Sequence, residues 1–447
     1  MVQPVQSRAP GEALAEALPP LTDQEAMVEA HRCLFCYDAP CTHACPTHID
    51  IPRFIKKIST DNLVGSARTI LEANLLGATC ARVCPVQELC EGACVLGSEH
   101  KPIMIGRLQR YATDYVEDRG IDVFVSGAPT GKKVAVIGAG PAGICCAGEL
   151  AKAGHSVTVF EKRLLAGGLS TYGIIALREP ITVALAEIDM VRRLGVEFRT
   201  GVSLGQDVSL PDLQTNFDAV FLGAGLGSTS SLKIPGEAHI VDGLRYIEGS
   251  KFDGGRLPVG RSVAVIGAGN TAIDCATIAR RLGANRVTIV YRRSEHEMSA
   301  YRHECEFAKK EGIEFRFLSQ PRRVVMAGHL VIGLACAAMT LGEPDASGRP
   351  APRPLPGSEF LLPADQIVKA IGQERWQWAA PLKLATPRGF LQVNEEFETS
   401  LPGVYAGGDC IRSSGTCSTV MAVQDGKLAA AAISRKLAQT PKQEGAA

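Results

Sequence analysis

Apolar and polar residues follow two rhythms along this chain. Up to about residue 118 the spacing is helical. Thr22, answered by Glu25, forms a capping box for a helix over 22–30, and apolar residues fall on one helical face over 51–58, 62–72 and 103–116. Gly120, Gly127, Pro129 and Gly131 then mark a linker over 119–131. Beyond it, short apolar strands alternate with helices: strands over 133–137 and 156–160 flank one helix, and strands over 262–266 and 287–291 flank another. Val220-Phe-Leu-Gly, Val368-Lys-Ala-Ile-Gly and Val404-Tyr-Ala-Gly-Gly-Asp409 read as further strands running into glycine, and a helix starts at Thr419. This order predicts an α+β multidomain protein, an N-terminal all-helical domain followed by two Rossmann-like α/β dinucleotide-binding domains. The expected boundaries are 1–20 as a disordered lead-in, 21–118 as the helical domain, 132–247 with 373–447 as the first nucleotide domain, and 248–372 as the second.

Composition narrows the class. The 447 residues carry 47 Lys and Arg against 47 Asp and Glu, so there is no electrostatic footprint for nucleic acid or an anionic membrane. No apolar run reaches the roughly 18 residues of a membrane span. Residues 1–20 hold Pro4, Pro10, Glu12, Glu16, Pro19 and Pro20 in place of an apolar secretory segment, and a reducing, cytoplasmic setting is expected.

In that setting crowded cysteines bind metal or do redox chemistry. Eight of the fifteen lie between positions 33 and 94, as Cys33-x2-Cys36-x4-Cys41-x3-Cys45-Pro46 and Cys80-x3-Cys84-Pro85-x4-Cys90-x3-Cys94. Zinc is the alternative, but a structural zinc site needs one cysteine pair plus another. Four thiols in so short a run, with proline after the last, fit an iron–sulfur run whose final cysteine ligates the other cluster. Two [4Fe–4S] clusters are expected. Cys33, Cys36, Cys41 and Cys94 hold one; Cys45, Cys84 and Cys90 hold the second, with Cys80 either its last ligand or a bystander. His31, His43 and His48 read as solvent-facing or as neighbours of the ligands.

Gly138-Ala-Gly140-Pro141-Ala142-Gly143 follows a strand and opens a helix, and Glu161 ends the next strand. Together these form a dinucleotide fingerprint, with pyrophosphate at the helix N-terminus and the acid on a ribose hydroxyl. The grammar repeats at Gly267-Ala268-Gly269-Asn270-Thr271-Ala272, but Arg292-Arg293 stand where Glu161 stood. Arginine there suits the 2′-phosphate of NADP, and two solvated surface residues are the bland alternative. Asp409 falls at the C-terminal edge of a sheet, where ligands bind, and the helix from Thr419 can aim its N-terminus at a flavin oxygen. No acid–base constellation or redox Cys-x-x-Cys stands out in the nucleotide domains. Cys145, Cys146, Cys410 and Cys417 read as structural.

With these motifs in view, the chain resembles the flavoproteins of the glutamate synthase small-subunit superfamily. It is similar, more narrowly, to the N-terminal half of the dihydropyrimidine dehydrogenases. The resemblance runs over 32–436 and is most specific in Arg32-Cys-Leu-Phe-Cys-Tyr-Asp-Ala-Pro-Cys41, Leu76-Gly-Ala-Thr-Cys-Ala-Arg-Val-Cys-Pro85 and Ile105-Gly-Arg-Leu-Gln109. Cys84-Pro-x4-Cys90 follows the pyrimidine enzymes, whereas glutamate synthase subunits tend to a shorter spacing. The resemblance implies that Gln109, and not Cys80, completes the second cluster. It implies FAD on Gly138–Gly143, Glu161, Gly168, Leu169, Arg178, Leu204, Gly408, Asp409 and Thr419, and NADPH or NADH on Gly267–Thr271, Arg292, Arg293, Ala370, Ile371 and Gly372. Hydride would pass to FAD, and single electrons through both clusters to an FMN-containing partner subunit, in a heterotetramer, that reduces uracil or thymine. The other readings are the input subunit of a glutamate synthase, a free-standing ferredoxin:NADP reductase, and a scaffold stiffened by its clusters. The sequence departs from the family at Ile175 and Glu179 before Pro180, and in having Arg302 displaced from the position after Met298.

Overall fold

The structure, a computed structural model, describes residues 13–253, 256–345, 348–375, 382, 384–412 and 417–439. The chain divides into two compact units, one of 18–171, 181–226 and 375–447, the other of 1–17, 172–180 and 227–374.

The first unit joins the helical domain to a parallel sheet. Its helices Asp23–His31, Ile51–Ser59, Leu63–Ala73 and Ile105–Asp118 lie within two residues of their expected ends. The Thr22–Glu25 capping box forms as expected, and Asp50 and Asn62 cap the next two helices through their side chains. Phe54, Ile55, Ile58, Ile70 and Leu108 fill a core that the cysteine loops cover. The sheet has the order β13-β4-β1-β2-β3, with β1 Lys133–Ile137, β2 Ser156–Glu161, β3 Glu197–Thr200, β4 Ala219–Leu222 and β13 Val404–Ala406. The order reverses between β1 and β4, which opens the switch-point crevice where α/β sheets bind ligands. Helices Pro141–Lys152 and Thr419–Gln439 pack on one another, where a Cβ on Gly426 would lie 2.2 Å from the Ala142 carbonyl oxygen. Residues 119–131 act as a docked strap more than a free linker: Val123 is buried, Ser126 Oγ donates to Leu194 O at 2.7 Å, and Thr130 N donates to Gly154 O at 2.9 Å.

The second unit repeats the sheet in the order β5-β12-β6-β7-β8, with β5 Val241–Asp242, β6 Ser262–Ile266, β7 Arg286–Val290, β8 Glu314–Arg316 and β12 Gln366–Lys369. It adds an antiparallel sheet of β9 Ser319–Ala327, β10 Leu330–Pro344 and β11 Pro350–Pro363, which the sequence reading did not anticipate. Three expectations are corrected here. The nucleotide unit begins at 227 and not at 248. Residues 172–180 belong to it. The lead-in is ordered from residue 13, with Leu14 buried in this unit's core beside Ile175 and Leu177. Ile175 and Leu177 thus spend the 172–180 loop on packing. Among the described residues no helix is long and apolar enough to cross a membrane.

Candidate functional site

The thiols fall into the two expected groups. Cys33, Cys36, Cys41 and Cys94 line one recess whose walls are otherwise apolar, from Ile51, Pro52, Ile55, Ile103 and Ile105. Burial first, and then the neighbouring thiols of Cys36 and Cys94, raise the Cys33 thiol, and burial pushes Cys41 up to about 11. In the second group the Cys84 thiol is raised by its hydrogen bond to Cys80 first, then by burial and by Cys90 and Cys45; Cys90 is raised by burial, with Glu91 and Cys45 contributing. Such sets favour thiolates only when a positive centre stands among them, which is the donor chemistry of an iron–sulfur site. Among the described residues no three His, Cys, Asp or Glu side chains converge closely enough to share a single ion. The four thiols of the first group surround a space, as ligands at the corners of a multi-iron cluster would.

Cys80 lies in the second group. Gln109 is buried, with Nε2 donating to Gly77 O at 2.7 Å on the helix Gly77–Val83 that carries Cys80. His31 and His43 are exposed, bonded to Met27 O and Asp38 Oδ1. His48 is also exposed.

The sequence reading missed how this helix is held. Glu187, buried on the helix Ile181–Arg193, accepts from Ala78 N at 2.7 Å, Thr79 N at 3.1 Å and Thr79 Oγ1 at 2.6 Å. Lys427 Nζ donates to Ala73 O at 2.9 Å, and Leu75 fills the notch at Gly148, where a Cβ would meet it at 2.6 Å. Three helices of the sheet domain therefore grip the segment 73–79.

At the crevice of the first sheet the backbone leaves room for a ligand to come close. Gly138 has φ +92°, and a Cβ there would lie 2.7 Å from Gly223 O; one on Gly143 would lie 1.9 Å from Gly138 O. Pro141 opens the helix after Gly140, so its first amides face the crevice unpaired within the helix. Glu161 is buried at the end of β2 and accepts from Ala139 N at 2.8 Å. Gly168 packs on Gly140, where its Cβ would fall 2.7 Å from the Gly140 Cα, with Leu169 starting the next short helix. Gly408 and Asp409 follow β13 beside Ala142, Leu204 follows β3, and Thr419 opens the long helix. Burial raises the Asp409 carboxyl, and the exposed Cys417, expected to be structural, hydrogen-bonds it. These residues share one edge of one sheet, and the cradle fits a dinucleotide.

Arg178 belongs to the other unit, where its guanidinium pairs with Asp274 at 2.5 Å and with Glu304. Burial pushes the Asp274 carboxyl up to about 7 against the pull of Arg178. Arg178→Met is expected to cost about 3–5 kcal/mol, the usual penalty for orphaning a buried charge. Without Arg178 the folded chain holds the Asp274 proton to still higher pH, so the variant should fall progressively further below wild type as pH rises above about 7. Flavin per folded chain should not change; thermal melts with a flavin assay check both.

The second cradle repeats the first. Gly267 has φ +137°, and a Cβ there would lie 2.1 Å from Ala370 O at the end of β12, so Gly267–Thr271 and Ala370–Gly372 meet across the switch point. The Asn270 side chain accepts from Tyr301 N at 3.0 Å. Of the two arginines, Arg292 is exposed, whereas Arg293 is 3% exposed and bonded to Asp345 at 2.5 Å and to Pro350 O at 2.9 Å. Arg293 as a phosphate ligand is corrected: its guanidinium is in use.

A thiol-caged helical domain ahead of two glycine-cradled sheets defines an iron–sulfur flavoprotein oxidoreductase. The chain belongs to the pyridine nucleotide-disulphide oxidoreductase family, which residues 132–429 match, and residues 11–121 match the dihydropyrimidine dehydrogenase domain II, 4Fe-4S cluster family. It is 37% identical to the NADP(+)-dependent formate dehydrogenase subunit beta of Moorella thermoacetica, covering 90% of this chain but 60% of that one. It is 35% identical to the glutamate synthase [NADPH] small chain of Escherichia coli, over 93% of this chain and 92% of that one. It is 34% identical to the NAD-dependent dihydropyrimidine dehydrogenase subunit PreT of the same organism, over 94% and 96%. Among solved structures, FprA from Mycobacterium tuberculosis in complex with NADPH shares the fold at a TM-score of 0.56 and 19% identity, over 69% of this chain and 85% of that one.

Proposed function

We propose that this chain is an electron-input subunit that oxidises NADPH or NADH and delivers electrons to an FMN-containing partner that reduces uracil or thymine to the 5,6-dihydro base. When bound, FAD supplies hydride acceptance and one-electron release, and iron–sulfur clusters supply one-electron carriage. The chain's own residues supply binding, orientation and insulation. Gly138–Gly143 with Glu161 and Asp409 hold the flavin, Gly267–Thr271 with Ala370–Gly372 hold the nucleotide, and the two thiol groups with Gln109 hold the clusters. No side chain needs to move a proton for hydride transfer. The observation that carries the reading is the grip of Glu187, Lys427 and Gly148 on segment 73–79. It fixes the second thiol group to the flavin domain within one compact unit.

The pyrimidine assignment is favoured by the match of residues 11–121 and by the Cys84–Cys90 spacing. The glutamate synthase small chain, matched at 35% identity over 441 residues against 34% over 420 for the dihydropyrimidine dehydrogenase subunit, keeps an input role in glutamate synthesis as the second reading. An anaerobic pull-down from the host, assayed for NAD(P)H oxidation with uracil or with glutamine plus 2-oxoglutarate, decides between them. Uracil-dependent turnover with an FMN-containing partner is expected, and turnover with 2-oxoglutarate alone would overturn the assignment.

The Gln109 assignment has its own test. Cys80→Ser is expected to keep both cluster signals in electron paramagnetic resonance, while Gln109→Leu should lose or alter one. The reverse outcome would make Cys80 the ligand.

A further inference from the structure

Thr47 is a polar residue that the ligand set leaves unused. It is 1% exposed, and Cys45 of the second thiol group is 7% exposed. A hydroxyl so deep in the protein needs a partner, since leaving it unmet costs about 1–3 kcal/mol. Its Oγ1 lies 3.4 Å from the Cys45 sulfur. The local fold puts it there: Cys45-Pro46-Thr47-His48 is a four-residue turn, closed by His48 N donating to Cys45 O at 2.9 Å, with Pro46 at the second position, which suits its fixed φ. The proline after the last cysteine of the run thus folds the threonine back onto that cysteine. Backbone amides donate to sulfurs in both thiol groups, Phe35 N to Cys33 and Thr42 N to Cys41 in the first, Glu91 N to Cys90 in the second. Among the described residues, side chains outside the ligand set bond only to sulfurs of the second group, Thr47 to Cys45 and Cys80 to Cys84.

We infer that Thr47 is a positioning residue that sets the reduction potential of the second cluster: its hydroxyl donates to the Cys45 thiolate and makes that cluster easier to reduce. The inference rests on the reading that the second thiol group holds iron and sulfur. Between a neutral thiol and a hydroxyl either could donate, but a cysteine ligates metal as a thiolate and has no proton left to give. The bond then runs one way, from Thr47 O–H to the Cys45 sulfur. Reduction adds negative charge around the ligating sulfurs, and a hydrogen bond to a charged acceptor strengthens with that charge, so the donor favours the reduced form. Thr47 keeps its proton throughout, and the electron that arrives from the reduced flavin is matched by no proton transfer at this residue.

Anaerobic redox titration of the iron-loaded chain, followed by electron paramagnetic resonance, reads the midpoint potential of each cluster. Thr47→Val keeps the shape of the side chain and removes the donor. It is expected to shift the reduction equilibrium of one cluster about tenfold toward the oxidised form, about 59 mV for one electron, and to leave the other within about twofold. Thr47→Ser keeps a hydroxyl and should stay within about twofold of wild type at both clusters. An unchanged potential in Thr47→Val, an equal shift of both clusters, or a fall in Thr47→Ser as large as in Thr47→Val overturns the inference. Should Thr47→Val lose its iron, Thr47→Ala makes the same comparison; loss of iron from both, beside an intact Thr47→Ser, would make the hydroxyl a support of the loop and overturn the inference as well. A wild-type chain that takes up no iron would instead refute the cluster reading beneath it.

Discussion

Gly267→Ala is expected to abolish reduction by NADPH and NADH while leaving flavin and iron in place. The Cβ that alanine adds would sit 2.1 Å from Ala370 O, a backbone atom at the end of β12 that no side-chain rotation can move aside. The φ of +137° is itself one that alanine rarely adopts. The chain must then widen the switch point between β6 and β12, where the nucleotide is expected to enter. A displacement costing about 3 kcal/mol weakens binding about a hundredfold. Flavin and iron should survive because Gly267 and Ala370 lie in one compact unit, while the first cradle and all the clustered thiols lie in the other. Gly143→Ala is the mirror experiment, its Cβ falling 1.9 Å from Gly138 O, and it should lose flavin instead. Flavin absorbance, iron content and anaerobic bleaching of the two variants check the pair. Gly267→Ala that is bleached like wild type would show that the nucleotide binds elsewhere.

Glu187→Ala should have the next largest effect. It strips three donors of the helix Gly77–Val83 from one buried carboxylate, at 2.6 to 3.1 Å, and leaves the two backbone amides without an acceptor. Removing a charged partner from buried hydrogen bonds costs about 3–5 kcal/mol. The loss should appear first in the second thiol group, since Cys80 directly follows Thr79 and Cys84 ends the helix. The expected result is a lower melting temperature and loss of one cluster signal with flavin retained; Glu187→Gln, which still accepts hydrogen bonds, should lose less. Equal stability of Glu187→Ala and wild type would contradict the grip described here.

What could be read from sequence divides by distance along the chain. The capping boxes, glycine turns and thiol spacings are local, so the helices, both cradles and the division of thiols into two groups were legible. Glu187 was not, because its partner Thr79 is 108 residues away and a lone glutamate on an amphipathic helix carries no signal. Arg178 was placed with the flavin by the family resemblance, but the chain changes unit between 171 and 172, and that arginine pairs with Asp274 and Glu304. The antiparallel sheet was hidden by its prolines. Pro321 and Pro344 in β9 and β10, and Pro350, Pro352, Pro354 and Pro356 in β11, break the alternation by which strands are recognised. Arg293 illustrates a third kind of blindness: a charged pair gives the same letters whether it faces a ligand or ties a sheet together.

The central claim is that one chain takes electrons from a reduced nicotinamide and passes them to its iron–sulfur groups. The direct test is anaerobic titration of the purified, iron-loaded chain with NADPH or NADH, following flavin absorbance and cluster paramagnetism in the same sample. The account predicts about eight irons per chain, flavin bleaching, and a reduced-cluster signal without any added partner. Bleached flavin beside clusters that stay oxidised, even when a chemical reductant reduces them readily, would contradict it.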